Sequence, residues 1–67
     1  MARMAALKIQ RGDRVLVRGE WREVRVVRSG RYETGGPVLI LVFESGRSLR
    51  VHPGQALHVD RGGKRVR

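Results

Sequence analysis

Cysteine is absent from this 67-residue chain, so neither a disulfide framework nor a thiolate zinc site can brace it, an absence that suits a reducing compartment. Aromatic residues are scarce: Trp21, Tyr32 and Phe43 are the whole complement. No apolar run approaches the roughly 18–20 residues of a membrane span. Met1–Gln10 also lacks the long apolar core of a secretory signal. A soluble, cytoplasmic protein with no membrane partner is expected. Lysine is nearly missing, with two against thirteen arginines. The planar guanidinium fork suits bidentate phosphate contacts, while a GC-rich genome, whose codons overproduce arginine, accounts for the same bias. Acid is missing from both ends, because all six acidic residues lie between Asp13 and Asp60. The net charge of +9 therefore divides as +3 in residues 1–12, +2 in residues 13–60 and +4 in residues 61–67. A middle flanked by two cationic ends favours a polyanion, because each neutralised phosphate releases condensed counterions.

A chain this short makes one domain and buries only roughly 60% of its unfolded surface, which leaves little room for an active site. What is present reads as strands. Asp13 to Arg18 alternates, with Val15 and Val17 on one face and Arg14 and Arg18 on the other. Glu20 to Arg28 is richer in β-branched residues than in helix formers and predicts a second strand, with Val24 and Val26 inward and Trp21, Arg25 and Val27 opposite. Ser29 to Gly36 reads as a polar, mobile loop before Pro37. Val38 to Phe43 is a continuous apolar run expected as the central buried strand. Glu44-Ser45-Gly46-Arg47 makes a tight hairpin. Strands follow at 47–52 and 56–60, separated by one helical turn at Pro53-Gly54-Gln55. The predicted inward set is Val15, Val17, Val24, Val26, Ile40, Leu49, Val51, Leu57 and Val59.

Five strands and no longer helix describe an all-β small barrel. A helix between the third and fourth strands, usual in an OB-fold, has no room in Glu44 to Arg47. Gly12-Asp13-x-Val15-x-Val17 followed by Glu23-Val24-x-Val26-Val27 resembles the opening hairpin of SH3-like barrels of the KOW, Tudor and related types. The chain has Trp21-Arg22-Glu23 where the KOW pattern carries glycines. The resemblance covers residues 12–60 and implies a five-stranded SH3-like barrel that docks RNA, DNA or protein through loops and one face. Residues 1–11 then form a basic N-terminal arm and residues 61–67 a basic disordered tail. The N-terminal segment is expected to fray, with Leu7 and Ile9 able to cover the barrel's open end, pair as an extra edge, or meet a partner.

Arg14, Arg18, Arg25 and Arg50 share the outward parity of their strands. They read either as a phosphate-binding face or as solvated charges partly neutralised by Glu20 and Glu23. Trp21, among Arg18, Arg22 and Arg25, is a base-stacking candidate or a core residue. Tyr32, beside Arg28 and Arg31, is the second stacking candidate. Arg61, Lys64, Arg65 and Arg67 read as a phosphate-binding arm. His52, His58 and Asp60 belong to no helical ligand motif, the serines to no nucleophile motif, and Thr34-Gly35-Gly36 lacks a P-loop lysine. No catalytic residue, metal or cofactor is expected. The expected function is a non-enzymatic accessory or regulatory nucleic-acid-binding protein of a bacterium, plasmid or phage. It would have weak sequence specificity, since no recognition helix is visible. The alternative is a protein-interaction or assembly module, dimeric if residues 38–43 lie at a sheet edge.

Overall fold

Period-two alternation does govern most of the chain. The computed structural model describes residues 2–60, which form six antiparallel strands and one short 3₁₀ turn. The strands are β1 (Ala2–Ala5), β2 (Arg14–Val17), β3 (Glu20–Arg31), β4 (Pro37–Phe43), β5 (Ser48–Val51) and β6 (Ala56–Asp60); the 3₁₀ turn spans Ala6–Lys8. Their order across the sheet is β1-β6-β2-β3-β4-β5, so consecutive hairpins link β2 to β5 and β6 returns beside β2. The two outer strands, β1 and β5, do not pair with one another. The fold is thus all-β, with six strands in place of the five expected.

The extra strand is the segment expected as a fraying arm. Met4 pairs with Leu57 and Ala2 with Val59 along β6. The 3₁₀ turn that follows is tied down when Ala6 N donates to Gln55 O (2.9 Å) and Leu7 N to Pro53 O (3.0 Å). Ala6 and Ile9 are buried in the core, while Leu7 is 60% exposed. The anchoring is apolar burial, which charge counting does not reveal. Pro53-Gly54-Gln55 forms the single turn expected before the last strand, too short to count as a helix: Gln55 N donates to His52 O (2.9 Å), an i→i+3 bond, and Gly54 N donates to His52 Nδ1 (2.9 Å). The tail reading, with its four cations, lies outside the described residues.

Val15, Val24, Leu41, Phe43, Val51 and Val59 fill the core, with Val17, Val27, Leu39, Leu49 and Leu57 packed around them. Two inward expectations fail here. Val24 opposes Phe43 and Val26 opposes Val42, so Arg25 is an extra residue in β3 with no partner in β4. This bulge reverses the parity beyond it. Val26 is consequently 36% exposed, and Val27 takes the inner position opposite Leu41. Ile40 also faces outward, because Leu39, Leu41 and Phe43 take the core parity of β4. Six successive apolar residues carry no alternation from which to read a face.

The expected mobile loop is shorter than its glycine content suggests. Ser29, Gly30 and Arg31 extend β3, and Tyr32 to Gly36 closes a hairpin through Gly35 N to Tyr32 O and Tyr32 N to Gly36 O, each 2.8 Å. The β4–β5 hairpin closes the same way, Gly46 N to Phe43 O and Phe43 N to Arg47 O. Gly35 and Gly46 take φ of 101° and 94°, where a side chain would be strained. Before β2, buried Asp13 accepts from Gln10 N (2.9 Å) and returns its own N–H to Gln10 O (3.0 Å), fixing the turn that leads into the sheet.

Candidate functional site

The outer face of β3, β4 and β5 combines an apolar floor with cationic sides. Register places Arg28 opposite Ile40, and Ile40 opposite Arg50, in one row across three strands. With adjacent strands about 4.8 Å apart, the two arginine backbones stand about 10 Å apart with Ile40 between them. Next along the sheet, Gly30 faces Val38. Gly30 has ordinary negative-φ backbone, and a methyl at its Cα would meet Val38 Cγ1 at 3.6 Å, a normal van der Waals contact. Its missing side chain therefore leaves space on the sheet, as strand glycines do where another molecule approaches closely.

That space belongs to an open groove of about 660 Å³, bounded by Gly30, Tyr32, Thr34, Val38, Ile40 and Arg50. Tyr32 stands at the end of β3 and remains 38% exposed. Arg31 also reaches the groove, and its Nη1 donates to Gly35 O (3.2 Å), bracing the hairpin that carries Tyr32. Glu33 is the one acid on this lining. Arg50 and Arg28 have no ion-pair or hydrogen-bond partner for their side chains among the described residues. Their full donor sets face solvent.

Of the residues singled out in the sequence, Tyr32 and Arg50 are brought together here. Arg14, Arg18, Trp21 and Arg25 do not line the groove. Arg14 Nη2 pairs with Asp60 Oδ2 at 2.9 Å. Arg18 occupies the β2–β3 turn, and Arg25 the bulge. Trp21 lies opposite Leu16, on the outer face of the β2–β3 hairpin, and is 38% exposed, so it is a surface residue and not part of the core. The floor residues Val38 and Ile40 were missed. Their signal is an unbroken apolar run, which marks a strand whose second face also carries apolar surface.

Among the described residues no three side chains gather as a metal site. No helix among them is long and apolar enough to cross a membrane. No family model, curated protein or solved structure matches the chain.

Proposed function

We propose that this chain is a non-enzymatic nucleic-acid-binding module of SH3-like small-barrel type that prefers single strands. The observation that carries the reading is the Tyr32 groove: an exposed aromatic ring beside an apolar floor, with unpaired guanidinium groups at Arg28 and Arg50. Such a groove suits an unpaired base, whose π-face stacks on tyrosine while arginines hold the flanking phosphates. A duplex hides its base faces and gains only the charge. The β2–β5 meander with β6 returned beside β2 supports the small-barrel assignment. Arg61, Lys64, Arg65 and Arg67 would add sequence-independent phosphate contacts. The edge-strand argument for a dimer loses its ground, because β4 lies between β3 and β5. A cytoplasmic setting in a bacterium, plasmid or phage fits this reading.

Gly30→Val tests it directly. The backbone accepts a β-branched residue, and the added side chain occupies part of the groove floor in ordinary van der Waals contact with buried Val38. Fluorescence anisotropy should show single-stranded DNA or RNA bound on the order of tenfold more weakly, the equivalent of one lost stacked base. Duplex binding and the thermal midpoint should stay nearly unchanged. Undiminished single-strand binding would remove the groove from the mechanism.

A further inference from the structure

At the other end of β5 a second cleft, of about 260 Å³, opens between the β2–β3 and β4–β5 turns. Three arginines from three chain segments line it: Arg18 in one turn, Arg22 on β3 and Arg47 in the other turn. Its apolar wall is made by Val17, Phe43 and Leu49. Only Arg22 is neutralised, by Glu20 at 2.9 Å, and the Glu20 side chain is 66% exposed. Arg18 and Arg47 have no side-chain partner among the described residues.

The backbone at Arg18 is a second, separate observation. Arg18 and Gly19 take φ of 50° and 83°, the pattern of a type I′ hairpin turn, and Arg18 is the only non-glycine with positive φ among the described residues. Asn or Gly normally fills that position because either adopts it at low cost. An arginine stands there instead, with its side chain at the cleft. Strain of this kind is found where a side chain is needed in a particular place.

We propose that this cleft binds one phosphate group of a nucleic-acid strand and is a site separate from the Tyr32 groove. The assignment rests on the nucleic-acid reading above. One carboxylate pairs with one guanidinium group, as Glu20 does with Arg22 through a single hydrogen bond. Three guanidinium groups instead suit a tetrahedral anion with several acceptor oxygens. The exposed Glu20 is displaced at little cost, since solvent-exposed ion pairs contribute little. Ser48 lines the cleft and Arg50 the groove, two residues apart on the edge strand, or about 7 Å. The groove lies on the outer face and the cleft on the side of Val17, Phe43 and Leu49, so a single strand joins the two by passing over the β5 edge.

The test uses the full chain, ¹⁵N-labelled, titrated separately with single-stranded oligothymidylate, thymidine monophosphate and inorganic phosphate. Oligothymidylate should shift the amides of Gly19, Arg47 and Ser48 together with those of Tyr32 and Gly36. The two small anions should shift the first set. Arg18→Gly combined with Arg47→Gln should weaken oligothymidylate binding on the order of tenfold. It should also lower the slope of log K on log salt by roughly 0.7, the one phosphate contact of the cleft on a single strand. Arg18→Gly relaxes the turn, so its thermal midpoint should equal or exceed the parent's, and a folding defect cannot mimic the result. If oligothymidylate moves only the Tyr32 set and the double variant keeps its slope, the cleft proposal is overturned while the nucleic-acid reading stands. If small anions enter the cleft but oligothymidylate leaves it unmoved, the proposal is overturned in favour of a free-anion site. If oligothymidylate moves neither set, both readings fall.

Discussion

Two outer surfaces of this small sheet carry the same ingredients, an exposed aromatic ring, aliphatic neighbours and arginines, but differ in how their charges are used. On the β2–β3 side, Trp21 lies opposite half-buried Leu16 and Arg14 is held by Asp60, while Arg25, unpaired among the described residues, stands in the bulge away from the groove. On the β3–β5 side, Tyr32 stands over an open groove, and Arg28 and Arg50 have no acidic partner. What an external phosphate experiences is the guanidinium groups left without a carboxylate, not the number of arginines. On the first surface the strand arginine Arg14 is held internally; on the second both strand arginines keep their donors and stand beside a groove.

The largest expected effect separates the core from the second surface along a single strand. Leu41 and Ile40 are adjacent in β4, but Leu41 is fully buried and Ile40 lies on the groove face. Leu41→Ala should cost about 2–5 kcal/mol by leaving a cavity among well-packed neighbours. Ile40→Ala should cost about 1 kcal/mol, since the half-buried side chain borders solvent and its loss opens no closed cavity. Chemical denaturation measures both. Equal losses would mean that the groove floor is part of the core, and the contrast between the two faces would collapse.

Next in size is the difference between the two aromatic residues. Tyr32→Ala should weaken single-strand binding by about 1–3 kcal/mol, the usual worth of one stacked base, with a smaller loss on duplex. Trp21→Ala should leave single-strand affinity within about 0.5 kcal/mol, because Trp21 does not line the groove, and should instead lower stability through lost contact with Leu16. A larger binding loss at Trp21 than at Tyr32 would exchange the roles of the two surfaces.

Much of this architecture was legible in the sequence because alternation fixes faces. Leu49 and Val51, and Leu57 and Val59, alternate with polar residues and lie inward as expected, as do Val15 and Val17, whose flanking Arg14 and Arg18 set the parity. Gly46 in Glu-Ser-Gly-Arg marked its hairpin for a stereochemical reason, as its φ of 94° shows. Alternation gave no warning of the bulge at Arg25, since a bulge is a property of the pairing between β3 and β4 and has no residue signature of its own here. Val26 was misplaced for that reason. The N-terminal strand was hidden by its shortness and its mixed composition, while the burial of Ala6 and Ile9 that holds it depends on distant residues 53–59. For the site, Tyr32 and Arg50 were named from residue type, but their meeting required the register of three strands. The face of Ile40 required it as well.

The smallest effect concerns the charges themselves, and it sharpens the comparison most. Arg14 and Arg50 are both exposed arginines on strands; the first is paired and the second is not. Arg50→Gln should lower the slope of log K on log salt for a single strand by roughly 0.7, one phosphate contact. Arg14→Gln should leave the slope unchanged, because Asp60 already neutralises that charge. Removing an exposed ion pair of this kind should change stability by at most about 1 kcal/mol. Deleting residues 61–67 supplies the reference for a purely electrostatic contribution: it should lower the slope without altering the single-strand preference or the thermal midpoint. If Arg14→Gln and Arg50→Gln reduced the slope equally, internal pairing would not govern which arginines contact phosphate. Net charge alone would then describe the binding, and the two surfaces would be equivalent as phosphate ligands.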